Sequence, residues 1–153
     1  MDDLFHVPAL ADVARIATRL TVAAVLGGLI GAERERLGKA AGLRTHMTVA
    51  LGSAAFVLIA LESGGGSEAL SRVIQGIAAG IGFVGAGTIL KRTDSEEDIQ
   101  GLTTAATVWL TAAIGVAAGA GLGWLAVIAV ACAWLILTIM STVAHWLRRN
   151  GQE

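Results

Sequence analysis

From Ile99 to Leu147 the chain runs for 49 residues without Asp, Glu, Lys or Arg, more than twice the ~20 apolar residues that cross the hydrocarbon core of a bilayer. Only 15% of its 153 residues are charged, where about 25% is usual in soluble domains. A soluble fold of this size has no core to absorb that excess. Lipid offers no hydrogen-bond partners, so a spanning segment must be a helix or part of a closed barrel. The apolar runs lack the period-two alternation of barrel strands, and they therefore read as helices. Five spans are expected, at about 12–32, 43–61, 70–90, 101–118 and 122–146, the long uncharged run being divided by the glycines at 119, 121 and 123. The fold class is all-α: a polytopic membrane helix bundle, one transmembrane domain over 1–149 with a short tail at 150–153. The start, Met1-Asp2-Asp3, lacks the positive region of a secretory signal, so the first helix is expected to be retained.

The bias of Lys and Arg gives an expected orientation. Arg34, Arg36, Lys39, Arg44, Lys91, Arg92, Arg148 and Arg149 all fall on one side of a five-span arrangement. We call this the basic end. It is expected in the cytoplasm, with the N-terminus outside and Trp124 and Trp146 as interface residues bracketing the last helix. The two hairpins also read as a parallel repeat. The segments 42–51 and 101–110 share six of ten residues, and Gly28-x-x-Gly31-Ala32 matches Gly82-x-x-Gly85-Ala86.

Several residue groups bear on function. Gly80-Ile81-Gly82-Phe83-Val84-Gly85 fits the dinucleotide-binding pattern, yet it lies inside an apolar helix and lacks the strand and soluble helix that the pattern requires. Gly28, Gly31, Gly76, Gly80, Gly82, Gly85 and Gly87 are instead expected to let helices approach closely, because short-range packing is a main adhesive force in lipid. A breakable, carbonyl-exposing third helix is the alternative. Arg19 lies about 9 Å inside one boundary by helix rise and needs a partner: Glu62, Glu68 or carbonyls at that end. Glu33, Arg34, Glu35 and Arg36 meet Arg44, Thr45 and His46 at the mouth of the first hairpin. They read either as topology signals or as a polar site for a cation, a proton or a docking protein.

Asp94, Glu96, Glu97 and Asp98 precede the fourth helix, where its dipole favours carboxylates. Thr103, Thr104 and Thr107 read as bonding to carbonyls of their own or neighbouring helices, and Trp109 and Trp134 as packing between helices. No set of nucleophile, base and orienting acid assembles from the spacing, so an enzyme is not expected. No cofactor or metal site is expected either: His6, His46 and His145 are scattered and Cys132 is the single cysteine. The net charge of −1 gives no field for nucleic acid.

Taken in order, Arg19-Leu20, Gly31-Ala32-Glu33-Arg34-Glu35, Gly42-Leu43-Arg44-Thr45-His46, Arg72, the segment 80–89, the segment 101–109 and Ala112-Ala113-Ile114-Gly115 resemble the MgtC/SapB family of bacterial inner-membrane proteins. The resemblance implies a multi-pass protein tied to adaptation to low magnesium and to virulence. Its best-known member is linked to restraint of the proton-driven ATP synthase, so a membrane-protein partner is the implied association beyond the bilayer itself, and a homo-oligomer is expected because five helices per chain are few for a complete transport pathway. Longer members carry a further cytoplasmic domain, and this chain resembles a short form without it. Arg19, Glu33, Arg34, Glu35, Arg44, Thr45, Arg72 and Thr104 are the expected network or docking residues of a modulator of ion homeostasis. The alternative is a transporter or channel for magnesium or another small cation.

Overall fold

The computed structural model describes residues 9–91 and 99–150, without the side chains of 90, 91, 99 and 140–150. Five helices follow one another: α1 (Leu10–Arg36), α2 (Leu43–Glu62), α3 (Ser67–Ala86), α4 (Leu102–Gly119) and α5 (Gly123–Asn150). The first four are long and apolar enough to cross a membrane, and α5 carries an apolar stretch over Gly123–Ile139. The acidic cluster at 94–98, Arg92, His6, the side chains of His145, Trp146, Arg148 and Arg149, and the tail at 151–153 lie outside what is described.

Two helices end elsewhere than expected. α1 continues past 32 to Arg36, where Arg36 pairs with Glu33 at 3.1 Å and the basic last turn suits the negative end of the helix dipole. α3 covers Ser67–Ala86 rather than 70–90, because Thr88 turns back on it: both its backbone N–H, at 3.0 Å, and its Oγ1, at 2.8 Å, donate to the Gly85 carbonyl. The chain then forms a two-residue antiparallel bridge, Leu90–Lys91 against Ile99–Gln100, which sets the start of α4 beside the end of α3. Gly101 follows at φ 99°, with its α-carbon so close to the Thr88 carbonyl that no side chain fits.

The core lies where α1, α2 and α4 meet, with α5 against α1 and α4. Small residues set its dimensions. A Cβ on Gly115 would meet the Ala50 backbone, with the Ala50 Cα at 2.8 Å, and one on Gly119 would lie 2.7 Å from the Ala54 carbonyl oxygen. Thus a Gly-x-x-x-Gly face of α4 rests on an Ala-x-x-x-Ala face of α2. α1 meets α2 in the same way: a Cβ on Gly27 would lie 2.6 Å from the His46 carbonyl oxygen, and one on Gly31 2.8 Å from the Leu43 Cα. Backbones this close gain dispersion contacts that larger side chains would prevent.

The expected packing glycines divide. Gly28 and Gly31 face α2, and Gly85 makes ordinary contact with Ala105, but Gly87 meets only nearby carbonyls of its own turn. Among the described residues, Gly76, Gly80 and Gly82 have nothing within 4 Å, which corrects their expected role within this chain. The reason is the set of α3: of its residues only Gly85 is buried, and the helix leans away from α2 to leave an apolar groove of about 550 Å³ lined by residues such as Gly52, Phe56, Gly76 and Gly80. The two hairpins therefore follow the same order but differ in closeness. Trp109 points outward, 51% exposed, rather than between helices, whereas Trp134, 47% exposed, still joins two of them, its Nε1 donating to the Leu29 carbonyl of α1 at 3.4 Å.

Candidate functional site

α1 and α4 run antiparallel, and α1 brings one arginine to each end of α4. At the end away from the basic loops, Arg19 Nη1 donates to the Gly119 carbonyl at 3.0 Å. The guanidinium lies over the α4–α5 turn, where a Cβ on Gly121 would be 2.7 Å from Arg19 Nη2. Of the three partners the sequence offered Arg19, the carbonyl holds it, while Glu62 binds Arg15 at 3.0 Å. The match is physically apt, since the last carbonyls of a helix lack intrahelical donors and carry its negative pole. Arg19→Ala is expected to destabilise the protein by about 1–3 kcal/mol, measured as the unfolding midpoint in detergent, while Thr18→Ala, at an exposed hydroxyl bonded within its own helix, leaves the midpoint nearly unchanged.

The basic end is arranged differently. Arg34 is 4% exposed, and its Nη2 donates to Thr104 Oγ1 at 3.2 Å in the first turn of α4. Thr107 Oγ1 donates to the Thr104 carbonyl at 2.8 Å, and Thr111 Oγ1 to that of Thr107 at 2.8 Å. His46 is fully buried. Its Nδ1 lies 2.9 Å from the Gly42 carbonyl and its Nε2 3.4 Å from Thr107 Oγ1. Because a carbonyl only accepts, Nδ1 carries a proton, and Thr107, with a single proton, serves either the Thr104 carbonyl or His46 Nε2.

The threonines are placed by period: Thr104, Thr107 and Thr111 recur at three and four residues and form one polar stripe on an otherwise apolar helix. Arg34 continues the buried stripe of α1 through Ala23, Gly27 and Ile30.

Of the expected site residues, Arg34 and Thr104 meet directly. Glu33 pairs with Arg36. Glu35 Oε2 accepts the Leu43 backbone N–H at 2.7 Å and so caps α2 from across the loop. Arg44 is exposed and Thr45 half-buried at the start of α2, outside the Arg34 chain of hydrogen bonds. Arg19 sits at the opposite end, and Arg72 pairs on the surface with Glu68 at 2.6 Å. His46, read from sequence as a hydrogen-bonded helix-end residue, and Thr107 complete the buried chain. Among the described residues no group of three His, Cys, Asp or Glu side chains comes together.

Apolar helices with most of their charges near the ends, joined by a buried chain of polar side chains, define a polytopic α-helical membrane protein. The sequence matches the MgtC family over residues 20–146, and the chain belongs to that family. It is 42% identical over 150 residues to Protein SrpB of Synechococcus elongatus, covering 90% of this chain and 82% of that protein. It is 39% identical over 147 residues to the putative magnesium transporter YhiD of Escherichia coli K12, covering 90% of this chain and 66% of YhiD. It is also 49% identical over 110 residues to Protein MgtC of Brucella abortus, covering 71% of this chain and 44% of that protein. The chain thus spans most of SrpB but less than two thirds of YhiD and under half of MgtC. No solved structure matches it.

Proposed function

We propose that this chain is an MgtC-type inner-membrane modulator, acting on a membrane partner or on ion homeostasis when magnesium is scarce, with its basic end in the cytoplasm. Arg34 carries the reading: it is the one charged residue that the described part of the bundle buries. A guanidinium stays protonated at any physiological pH, so the interior of the basic end carries a fixed positive charge. Such a charge opposes the passage of a cation, and magnesium needs an octahedral set of oxygen ligands with several waters retained. The same end presents exposed Arg36, Lys39 and Arg44, a surface suited to an acidic partner. The ATP synthase is the partner that the family resemblance puts first.

Transport is the second reading, and the similarity to YhiD, which is named a putative magnesium transporter, favours it. Proteoliposomes loaded with a magnesium-sensitive dye separate the two. The modulator reading expects no saturable magnesium entry above empty vesicles. Saturable entry that is lost in Glu33→Gln contradicts it.

A further inference from the structure

The two ends of α4 make a physical contrast. At its C-terminus a half-buried guanidinium meets the Gly119 carbonyl and the negative pole of the dipole. At its N-terminus another guanidinium meets the positive pole, equivalent to roughly half a unit charge, which repels it. Arg34 is only 4% exposed, and among the described residues its Nε has no hydrogen-bond partner. No salt bridge among the described residues reaches it: Glu33, whose charge is close enough to favour the guanidinium, pairs with Arg36, and Glu35 caps α2.

The helix end beside it is uncapped. The position that usually offers a capping side-chain oxygen is Gly101, held without a side chain by its positive φ and by Thr88, so the N-cap residue of α4 supplies no capping oxygen among the described residues. The first-turn N–H groups of a helix have no intrahelical acceptor. A buried cation with an unused donor, pressed against an uncapped positive helix end, is a costly arrangement with nothing bound. An oxyanion at that point would satisfy both sets of donors and remove the repulsion.

We infer that the first turn of α4, together with Arg34 and Thr104, binds a phosphate-type oxyanion at the basic rim of the bundle. The anion takes a hydrogen bond from Arg34 Nε and others from the first-turn N–H groups. Two sources share this chemistry: the phosphate of a lipid headgroup, which the rim of a membrane bundle meets directly, and dissolved phosphate. The inference rests on the reading of the basic end as the functional site and adds a ligand to it. It fails on binding data alone, whereas the modulator reading fails on flux.

The test uses the full chain, stripped of lipid in a phosphate-free maltoside detergent. Inorganic phosphate, and separately phosphatidylglycerol, are titrated while the thermal midpoint and the ³¹P spectrum are followed. A saturable rise in midpoint with a broadened ³¹P line is expected for at least one of them. A response to phosphatidylglycerol alone assigns the lipid headgroup, and a response to both assigns an open oxyanion site. In Arg34→Gln the affinity should fall at least tenfold. Where Arg34→Gln does not fold, Arg34→Lys, which keeps the charge but lacks Nε, should show the weakening. Lack of saturable binding to either probe overturns the inference, as does equal binding by a folded Arg34 variant. Binding that emerges only after Asp94, Glu96, Glu97 and Asp98 are changed to their amides overturns it as well, since the chain's own carboxylates then fill the site.

Discussion

Gly115→Leu is expected to cost at least about 1–3 kcal/mol, the usual range for overpacking a closed contact, and to lower the unfolding midpoint and membrane yield together. A Cβ at 115 meets the backbone of Ala50, not the end of a flexible side chain, so no rotamer change relieves it and α2 and α4 must separate. That separation also opens Gly119 on Ala54 and pulls Thr107 from His46, whose contact is already 3.4 Å. Gly76→Leu is the control. It adds the same side chain where nothing lies within 4 Å, and its midpoint should stay at or slightly above that of the parent, because leucine is the better helix former. Equal stability of the two variants would mean that the α2–α4 contact does not hold the bundle together.

The second large effect has the opposite sign. Arg34→Met, in detergent free of phosphate and lipid, is expected to leave stability unchanged or raise it by about 1–4 kcal/mol, as replacements of buried charges by apolar residues of similar volume often do. Desolvating a guanidinium costs several kcal/mol, and one hydrogen bond to Thr104 at 3.2 Å returns only about 1.5–3 of it. A strongly destabilised Arg34→Met would instead identify Arg34 as half of a structural ion pair. A residue whose removal benefits the fold is kept for what it does, which is why this measurement bears on function.

Much of the architecture can be read from the residues because lipid imposes so few options. The length and apolarity of the runs place the helices, and the depth of Arg19 demands the partner it has at Gly119. The close contacts are harder to read. The dense glycines at 76, 80 and 82 face outward along α3, while the contacts that fix the helix spacing belong to the sparser pairs Gly27 with Gly31 and Gly115 with Gly119. Composition makes a position small, but only the neighbour's face decides whether smallness is used. Arg34 is among the residues the sequence singles out, but its burial is concealed by a helix boundary. With α1 ended at 32, Glu33 to Arg36 belong to a loop and are equivalent. With α1 extended to 36, Arg34 falls four residues after Ile30 on the buried stripe, whereas Glu35 and Arg36 turn outward. His46 and Thr107 lie 61 residues apart, and no local pattern joins them.

The central claim is that the work of this protein passes through the buried guanidinium of Arg34 rather than through its exposed charges. Growth under magnesium limitation tests it most directly, in a strain lacking its own MgtC-family gene and expressing Arg34→Met or Arg72→Met at equal membrane levels. The account predicts that Arg72→Met, which removes a surface pair with Glu68, restores growth as the parent chain does, while Arg34→Met does not. Full growth with Arg34→Met would contradict it.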